Sequence, residues 1–187
     1  MDVDGSAERS DDELVAAARA GDGEAFDELM RRHERLVYRV LHGFAPQREA
    51  ALDLTQAVFL KAFRALDRFR GAASFRTWLL RIAYHEGINE TVRAGRRGAT
   101  VEIEPESPEL AAPAEQEERL LADERRGIVA RALGTLHHRH RAAVLLRYRE
   151  GLGIRDIAAV LDTSEAMAKN LLFRGVEKLR RAVVETL

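Results

Sequence analysis

Between Gly98 and Glu118 the sequence places three of its four prolines (Pro105, Pro108, Pro113), several glutamates and no aromatic residue. Such a stretch cannot bury enough apolar surface to offset the entropy of ordering it. It divides the 187-residue chain into two pieces, each sized for one small domain. On both sides apolar residues recur at three- and four-residue spacing, the period of a helix packed along one face. The expected fold class is all-α: two small helical domains, over 10–97 and 117–187, joined by a flexible acidic linker over 98–116. The linker can be a plain tether or a functional acidic segment.

The formal net charge of −1, taken alone, argues against a nucleic-acid binder, because such proteins usually carry a basic footprint. The distribution of charge reverses that for one half. Residues 1–97 hold 16 basic and 16 acidic side chains, residues 98–127 hold 3 and 9, and residues 128–187 hold 11 and 6. A basic C-terminal piece thus follows an acidic connector. The absence of cysteine excludes disulfides, thiol catalysis and Cys-ligated metals. No apolar run exceeds five residues, too few to span a membrane. The acidic start, Met1-Asp2-Val3-Asp4-Gly5, is unlike a secretory signal. The expectation is a soluble, cytoplasmic protein without membrane insertion.

In the N-terminal piece, Ser10-Asp11-Asp12 reads as a helix cap before Leu14-Val15-Ala16. After the break at Gly21-Asp22-Gly23, the positions Phe26, Met30, His33, Val37, Val40 and Phe44 form one apolar stripe, with His33 expected to be a packed histidine. Pro46 ends that helix. A helix over 47–66 carries two apolar sides, one with Leu52, Phe59, Phe63 and Leu66, the other with Ala51, Val58, Ala62 and Ala65. Its third face holds Asp53, Gln56, Ala57, Leu60 and Arg64: a solvated face with one stray Leu, or a docking face. A loop expected at 67–73 and a cap at Ser74 lead into a helix over about 75–94. From Phe59 to Tyr84 six aromatic residues interleave with six basic ones, the pattern that holds unpaired bases by stacking and phosphates by charge. Phe59 and Phe63 are expected in the core, whereas Phe69, Phe75 and Trp78 are better placed for bases. His85, Asn89, Arg93 and Arg96 form a hydrogen-bonding and cationic stripe, adjoined by Glu86 and Glu90.

In the C-terminal piece a helix over 117–136 precedes His137-His138-Arg139-His140. Three histidines could suggest a metal site, but no cysteine or carboxylate cluster accompanies them, so a solvated basic turn is expected, with no metal and no cofactor. A helix over 139–150 and Gly151-Leu152-Gly153 follow. Ile154 to Arg174 then reads as short helix, three-residue turn, Ser164 cap and second helix: the helix-turn-helix layout. Ala158 supplies the small residue at the crossing, and Ile157, Leu161, Met167, Leu171 and Leu172 supply the core. Ser164, Glu165, Lys169, Asn170 and Arg174 face outward, able to reach base edges and phosphates.

Asp53-Leu54-Thr55-Gln56-Ala57-Val58-Phe59, then Phe69-Arg70-Gly71, then Ser74-Phe75-Arg76-Thr77-Trp78-Leu79-Leu80-Arg81-Ile82-Ala83, a Pro-containing linker and a helix-turn-helix come in a specific order. In these the chain resembles the extracytoplasmic-function (ECF) group of bacterial RNA polymerase sigma factors, in the sigma-70 family, over nearly its whole length. The resemblance implies a transcription initiation factor. Its region 2 would dock on the beta-prime clamp helices of core RNA polymerase and melt the promoter −10 element. Its region 4 would bind the −35 duplex and the beta flap, its linker would thread toward the polymerase cleft, and an anti-sigma factor would hold it in check. Carried over by position, Asp53, Gln56, Leu60 and Arg64 would face polymerase. Phe69, Arg70, Ser74 and Phe75 would capture a flipped −10 base, beside Trp78, His85, Asn89 and Arg93. Ser164, Glu165, Lys169, Asn170 and Arg174 would read the −35 element.

The chain departs from the family pattern at several places. Ala57 stands where a Glu is usual, Tyr84-His85-Glu86-Gly87 replaces an Arg- and Asn-rich stretch, and Asp162 replaces a turn Gly. Ala166-Met167-Ala168 and Leu171 replace a common G-T-V and an Arg. These departures leave room for a degenerate adaptor that keeps its partner surface without reading promoters. A stand-alone helix-turn-helix regulator is the other alternative, and the aromatic-basic stretch, which a duplex reader does not need, separates it from an initiation factor. No phosphate-cradling Gly loop, acid pair or nucleophile setting points to an enzyme.

Overall fold

A computed structural model describes residues 9–45, 47–96 and 127–186. The expected linker, Pro46 and the first part of the helix expected over 117–136 lie outside the described residues. Among those described there is no strand. The N-terminal helices are α1 (Asp11–Arg19), α2 (Gly23–His42), α3 (Arg48–Ala65) and α4 (Phe75–Arg96), with a short 3-10 turn at Leu66–Arg68. The C-terminal ones are α5 (127–135), α6 (His138–Val144), α7 (Ile154–Val160) and α8 (Glu165–Thr186). A π turn, Leu145–Arg149, continues α6.

The caps form where the short polar residues stand. At α1 the Ser10 hydroxyl accepts from the Glu13 N–H (3.3 Å) while the Ser10 N–H donates to the Glu13 carboxylate (2.7 Å), a reciprocal box. These bonds hold the Glu13 carboxyl below its usual range. Asp22 accepts from the Ala25 N–H (3.1 Å) to start α2, and Ser74 accepts from the Thr77 N–H (3.1 Å) to start α4.

Helices α1 to α4 close around Leu14, Phe26, Leu29, Val37, Leu41, Val58, Phe59, Ala62, Phe75 and Leu79. His33 is packed, its Nε2 2.6 Å from an Asp11 carboxylate oxygen. Helix α3 settles differently from the expected two-sided burial. Ala51, Leu54, Thr55, Val58, Phe59 and Ala62 face the neighbouring helices, while Leu52 and Phe63 are exposed, Phe63 by 55%. The physical reason is size: two alanines and a threonine let α2 and α4 approach closely along that stripe, which turns the Leu52–Phe63 edge outward. Gly87, which costs about 1 kcal/mol in a helix, has a similar explanation. A Cβ there would lie 2.6 Å from the ring of buried Phe44.

A second core is built from both pieces of the chain. Leu36, Val40, Phe44, Leu80 and Tyr84 pack with Ala142, Ala143, Leu146, Leu152, Ile157, Val160 and Leu161. Helix α7 touches both α4 and α8. Polar contacts ring this seam. Arg39 donates through Nε and Nη2 to the two Glu150 carboxylate oxygens (3.0 and 2.6 Å), and the Glu150 side chain is almost wholly buried. Arg76 donates to the Glu150 carbonyl (2.8 Å), Thr77 to Asp156 (3.2 Å) and Arg81 to Asp162 (2.9 Å). Arg141, buried, donates to the Gly43 carbonyl (2.8 Å), and a Cβ on Gly43 would lie 2.6 Å from Leu145 Cδ1.

Candidate nucleic-acid interface

The helix-turn-helix is formed by α7, the turn 161–164 and α8. Ala158 and Ile157 are buried at the crossing, and Ala168 and Leu171 of α8 pack onto them. Ala168 takes the place expected for Met167, which is 47% exposed. The turn needs a left-handed residue, supplied by Asp162 at φ 51°. Asp is among the few side chains that tolerate that conformation. The Ser164 hydroxyl accepts from the Met167 N–H (3.2 Å), so it is committed to capping α8.

Ser164, Glu165, Lys169, Asn170 and Arg174 all lie exposed on α8. The structure adds Phe173, 67% exposed, four residues after Lys169 and three after Asn170 and therefore on their face. Sequence reasoning passed over it; the available signal was an aromatic residue at the spacing of the polar stripe, out of phase with the core. Exposed Lys178, Arg180 and Arg181 continue the cationic surface.

On α4, His85, Asn89 and Arg93 are exposed in one row. Glu86, which adjoins them in sequence, turns inward, buried and paired with Lys61 of α3. Glu90 lies 3.6 Å from Arg93. The negative charge expected to oppose phosphate is therefore partly compensated within the fold.

The aromatic residues expected to meet bases are placed otherwise. Phe75 is 1% exposed, Phe69 is buried, and Trp78 is half-buried. Ring centroids lie 5.2 Å apart for Phe69 and Trp78 and 5.7 Å for Phe75 and Trp78, with His33 5.5 Å from Phe75. Phe69 and Phe75 thus close the N-terminal core and show no free face for stacking, a correction to their expected role. The loop between them does stand open, with Arg70, Gly71, Ala72 and Ser74 exposed.

Asp53, Gln56, Leu60 and Arg64 are exposed along α3, Leu60 by 50%. The outward turn of Leu52 and Phe63 adds two apolar groups to them. A row of apolar side chains flanked by charges is a surface suited to protein docking.

At the start of α6 the His137 and His138 rings lie 4.0 Å apart. Burial pushes His138 down to about 4, and the neighbouring His137, Arg139 and Arg141 add repulsion. Among the described residues no group of three His, Cys, Asp or Glu is placed to hold a metal. An imidazole whose folded value lies below its ordinary 6.5 favours the folded state fully above pH 6.5, and loses that contribution as pH falls towards 4. The urea midpoint should therefore be lower at pH 5 than at pH 7, and His138→Gln should flatten that difference; an unchanged slope would rule His138 out as its source.

Comparison with known proteins places these faces in a family context. Residues 29–97 match the family described as Sigma-70 region 2, and residues 126–179 match Sigma-70, region 4. The chain is 32% identical over 185 residues to the ECF RNA polymerase sigma-E factor of Escherichia coli K12, covering 95% of this chain and 96% of that protein. It is likewise 32% identical over 183 residues to the RNA polymerase sigma-H factor of Pseudomonas aeruginosa, covering 94% and 95%. Among solved structures, CnrH in complex with the cytosolic domain of CnrY matches with a TM-score of 0.65 at 25% identity, over 92% of this chain and 96% of that one. RpoE in complex with the anti-sigma factor NepR from Bartonella quintana matches in fold with a TM-score of 0.67 at 20% identity, over 84% and 96%. Among the described residues no helix is long and apolar enough to cross a membrane.

Proposed function

The chain belongs to the sigma-70 family, in its ECF group, and from that membership we propose a division of labour among its exposed faces. It is a transcription initiation factor rather than an enzyme. It binds core RNA polymerase, directs it to promoters with −35 and −10 elements, and is controlled by an anti-sigma factor. Its place of work is the cytoplasm, where polymerase and promoter meet. The N-terminal domain, over 10–97, docks on polymerase and opens the −10 element; the C-terminal domain, over 117–187, binds the −35 duplex.

The observation that carries this reading is the face of α8, which sets hydrogen-bonding groups, two cations and one aromatic ring side by side in water. Asn170 can read a base edge in the major groove, Lys169 and Arg174 can meet guanine or phosphate, and Phe173 offers apolar contact to a thymine methyl. On α3, Asp53, Gln56, Leu60 and Arg64, joined by Phe63, form the polymerase-docking face. On α4, His85, Asn89 and Arg93 contact the −10 strand together with Arg70 and Ser74 of the loop. Phe69, Phe75 and Trp78 act there by shaping that loop from beneath.

Run-off transcription with core polymerase tests the reading: promoter-specific initiation is expected, and its failure on every promoter of the cognate operons would favour a degenerate adaptor. Lys169→Ala and Arg174→Ala should each weaken −35 duplex binding by polymerase holoenzyme and reduce its salt dependence by about one phosphate contact. A salt slope equal to that of the unsubstituted chain would remove these side chains from the phosphate contacts.

A further inference from the structure

We propose that Lys61 of α3 is a positioning residue for promoter opening. It holds the Glu86 carboxylate against the bundle and so keeps the His85–Asn89–Arg93 row of α4 free to receive an anionic strand. The proposal rests on the initiation-factor reading and gives the −10 face a residue that lies outside the row itself.

Helix geometry puts Lys61 where two working faces meet. At about 100° per residue, Lys61 falls on the edge of α3 opposite Leu52 and Phe63. The Phe63 edge is turned toward α2, since its ring meets that of Phe26. The Lys61 edge is turned toward α4, where its ammonium pairs with Glu86. Leu60 of the docking face precedes it directly. On α4, Glu86 follows His85 and stands three residues before Asn89 and seven before Arg93. At that spacing its carboxylate borders the row on the side of α3.

Charge makes the pair consequential. Between residues 84 and 93, α4 carries Glu86 and Glu90 against one guanidinium, Arg93. Arg93 lies 3.6 Å from Glu90, which leaves Glu86 for Lys61 to neutralise. The Glu86 side chain is 9% exposed and that of Lys61 53%. An ionised carboxylate so deeply placed is costly without a partner. Deprived of Lys61 it would turn out to water, along the border of the row, and there it would repel phosphate.

The backbone of α4 cannot give way instead. The next residue is Gly87, where a Cβ would lie 2.6 Å from the Phe44 ring, so α4 is pressed onto α2 at that level. Leu80 and Tyr84 are buried in the same wall. With the helix held in rotation, Glu86 keeps only the freedom of its own side chain. The departure Tyr84-His85-Glu86-Gly87 is thus compensated within the domain: an acidic residue enters beside the strand-facing row, and its counter-ion stands on the neighbouring helix.

Lys61→Met keeps the hydrocarbon stem and removes the charge. The probe is the non-template −10 strand of a promoter that gives run-off product. Polymerase holoenzyme with Lys61→Met should bind it about 3–10-fold more weakly at low salt, and bind the −35 duplex as before. The deficit should shrink at high salt, where exposed charges are screened. Glu86→Gln alone should bind the strand at least as tightly as the unsubstituted chain. Lys61→Met combined with Glu86→Gln should return to within about twofold of it, because the two effects are coupled. The double variant also guards against misfolding, since it buries no unpaired charge. Strand affinity unchanged by Lys61→Met overturns the proposal. So does a double variant as weak as Lys61→Met, which would make Lys61 itself the strand contact. A deficit that is equal on the −35 duplex, or unmoved by salt, assigns Lys61 a purely structural role and overturns it too. Absence of any specific transcript from the unsubstituted holoenzyme is the separate failure of the initiation-factor reading, and takes this proposal with it.

Discussion

Replacing Phe75 by Ala should lower the stability of the free chain by about 3–5 kcal/mol, with a fall in the thermal midpoint of roughly 12–40 °C if the N-terminal domain unfolds as its own unit. The ring is 1% exposed and packs on Trp78, Phe69 and His33, each from a different element. Removing it leaves a cavity where the 69–74 loop meets the bundle. Trp78→Ala should cost less, because that ring is only half-buried. Thermal and urea unfolding of the free protein check both values. If Phe75→Ala keeps the midpoint and loses only promoter opening, the ring meets a base directly, and its burial in the free chain must be reversible. If stability and promoter opening fall together, the loop is shaped by its floor, and the −10 contacts belong to Arg70, Ser74 and the α4 row.

Leu60→Asp should reduce affinity for core polymerase by at least 10-fold, about 1.4 kcal/mol or more, and leave the thermal midpoint nearly unchanged. Leu60 is 50% exposed on a helix whose opposite stripe is fixed by Ala51, Val58 and Ala62. An added charge there costs little in the free chain but would be desolvated under a docked partner. Phe63→Asp should behave alike for polymerase and cost slightly more stability, since its ring meets that of Phe26 edge-on at 5.0 Å. Fluorescence titration of labelled protein with core polymerase gives the affinities. Equal binding by the Leu60→Asp variant would remove α3 from the docking surface.

The helices were legible because their signals are local. Ser10, Asp22 and Ser74 each bond the backbone within three residues of themselves, so a reader of sequence sees both partners at once. The helix-turn-helix was legible for the same reason, as was the packed state of His33. Which side of α3 faces inward was not legible in full. Periodicity gives two apolar stripes, both expected inside, and the close approach of α2 and α4 across Ala51, Thr55 and Ala62 leaves Leu52 and Phe63 of one of them outside. Ala168 takes the buried place expected of Met167 for a related reason. They are adjacent, and the close crossing with α7 admits the smaller side chain. The aromatic-basic stretch showed the right residue types but not their depth, so Phe75, beside a loop in sequence, lies beneath that loop in space. The seam had no local signal. Arg39 and Glu150 meet across 111 positions, and Arg81 and Asp162 across 81. Nothing in either segment alone marks the other as its partner.

The shared second core also sets a schedule for synthesis. Leu36, Val40, Phe44, Leu80 and Tyr84 are complete before any residue that covers them from the C-terminal side has been made. The last buried residue of that core, Leu171, follows Tyr84 by about 87 residues, roughly 4–17 s of translation at about 5–20 residues per second. The nascent first domain must pass that interval with part of its apolar wall uncovered on the ribosome. Demand for chaperone protection should concentrate in that window and end when the first turns of α8 emerge.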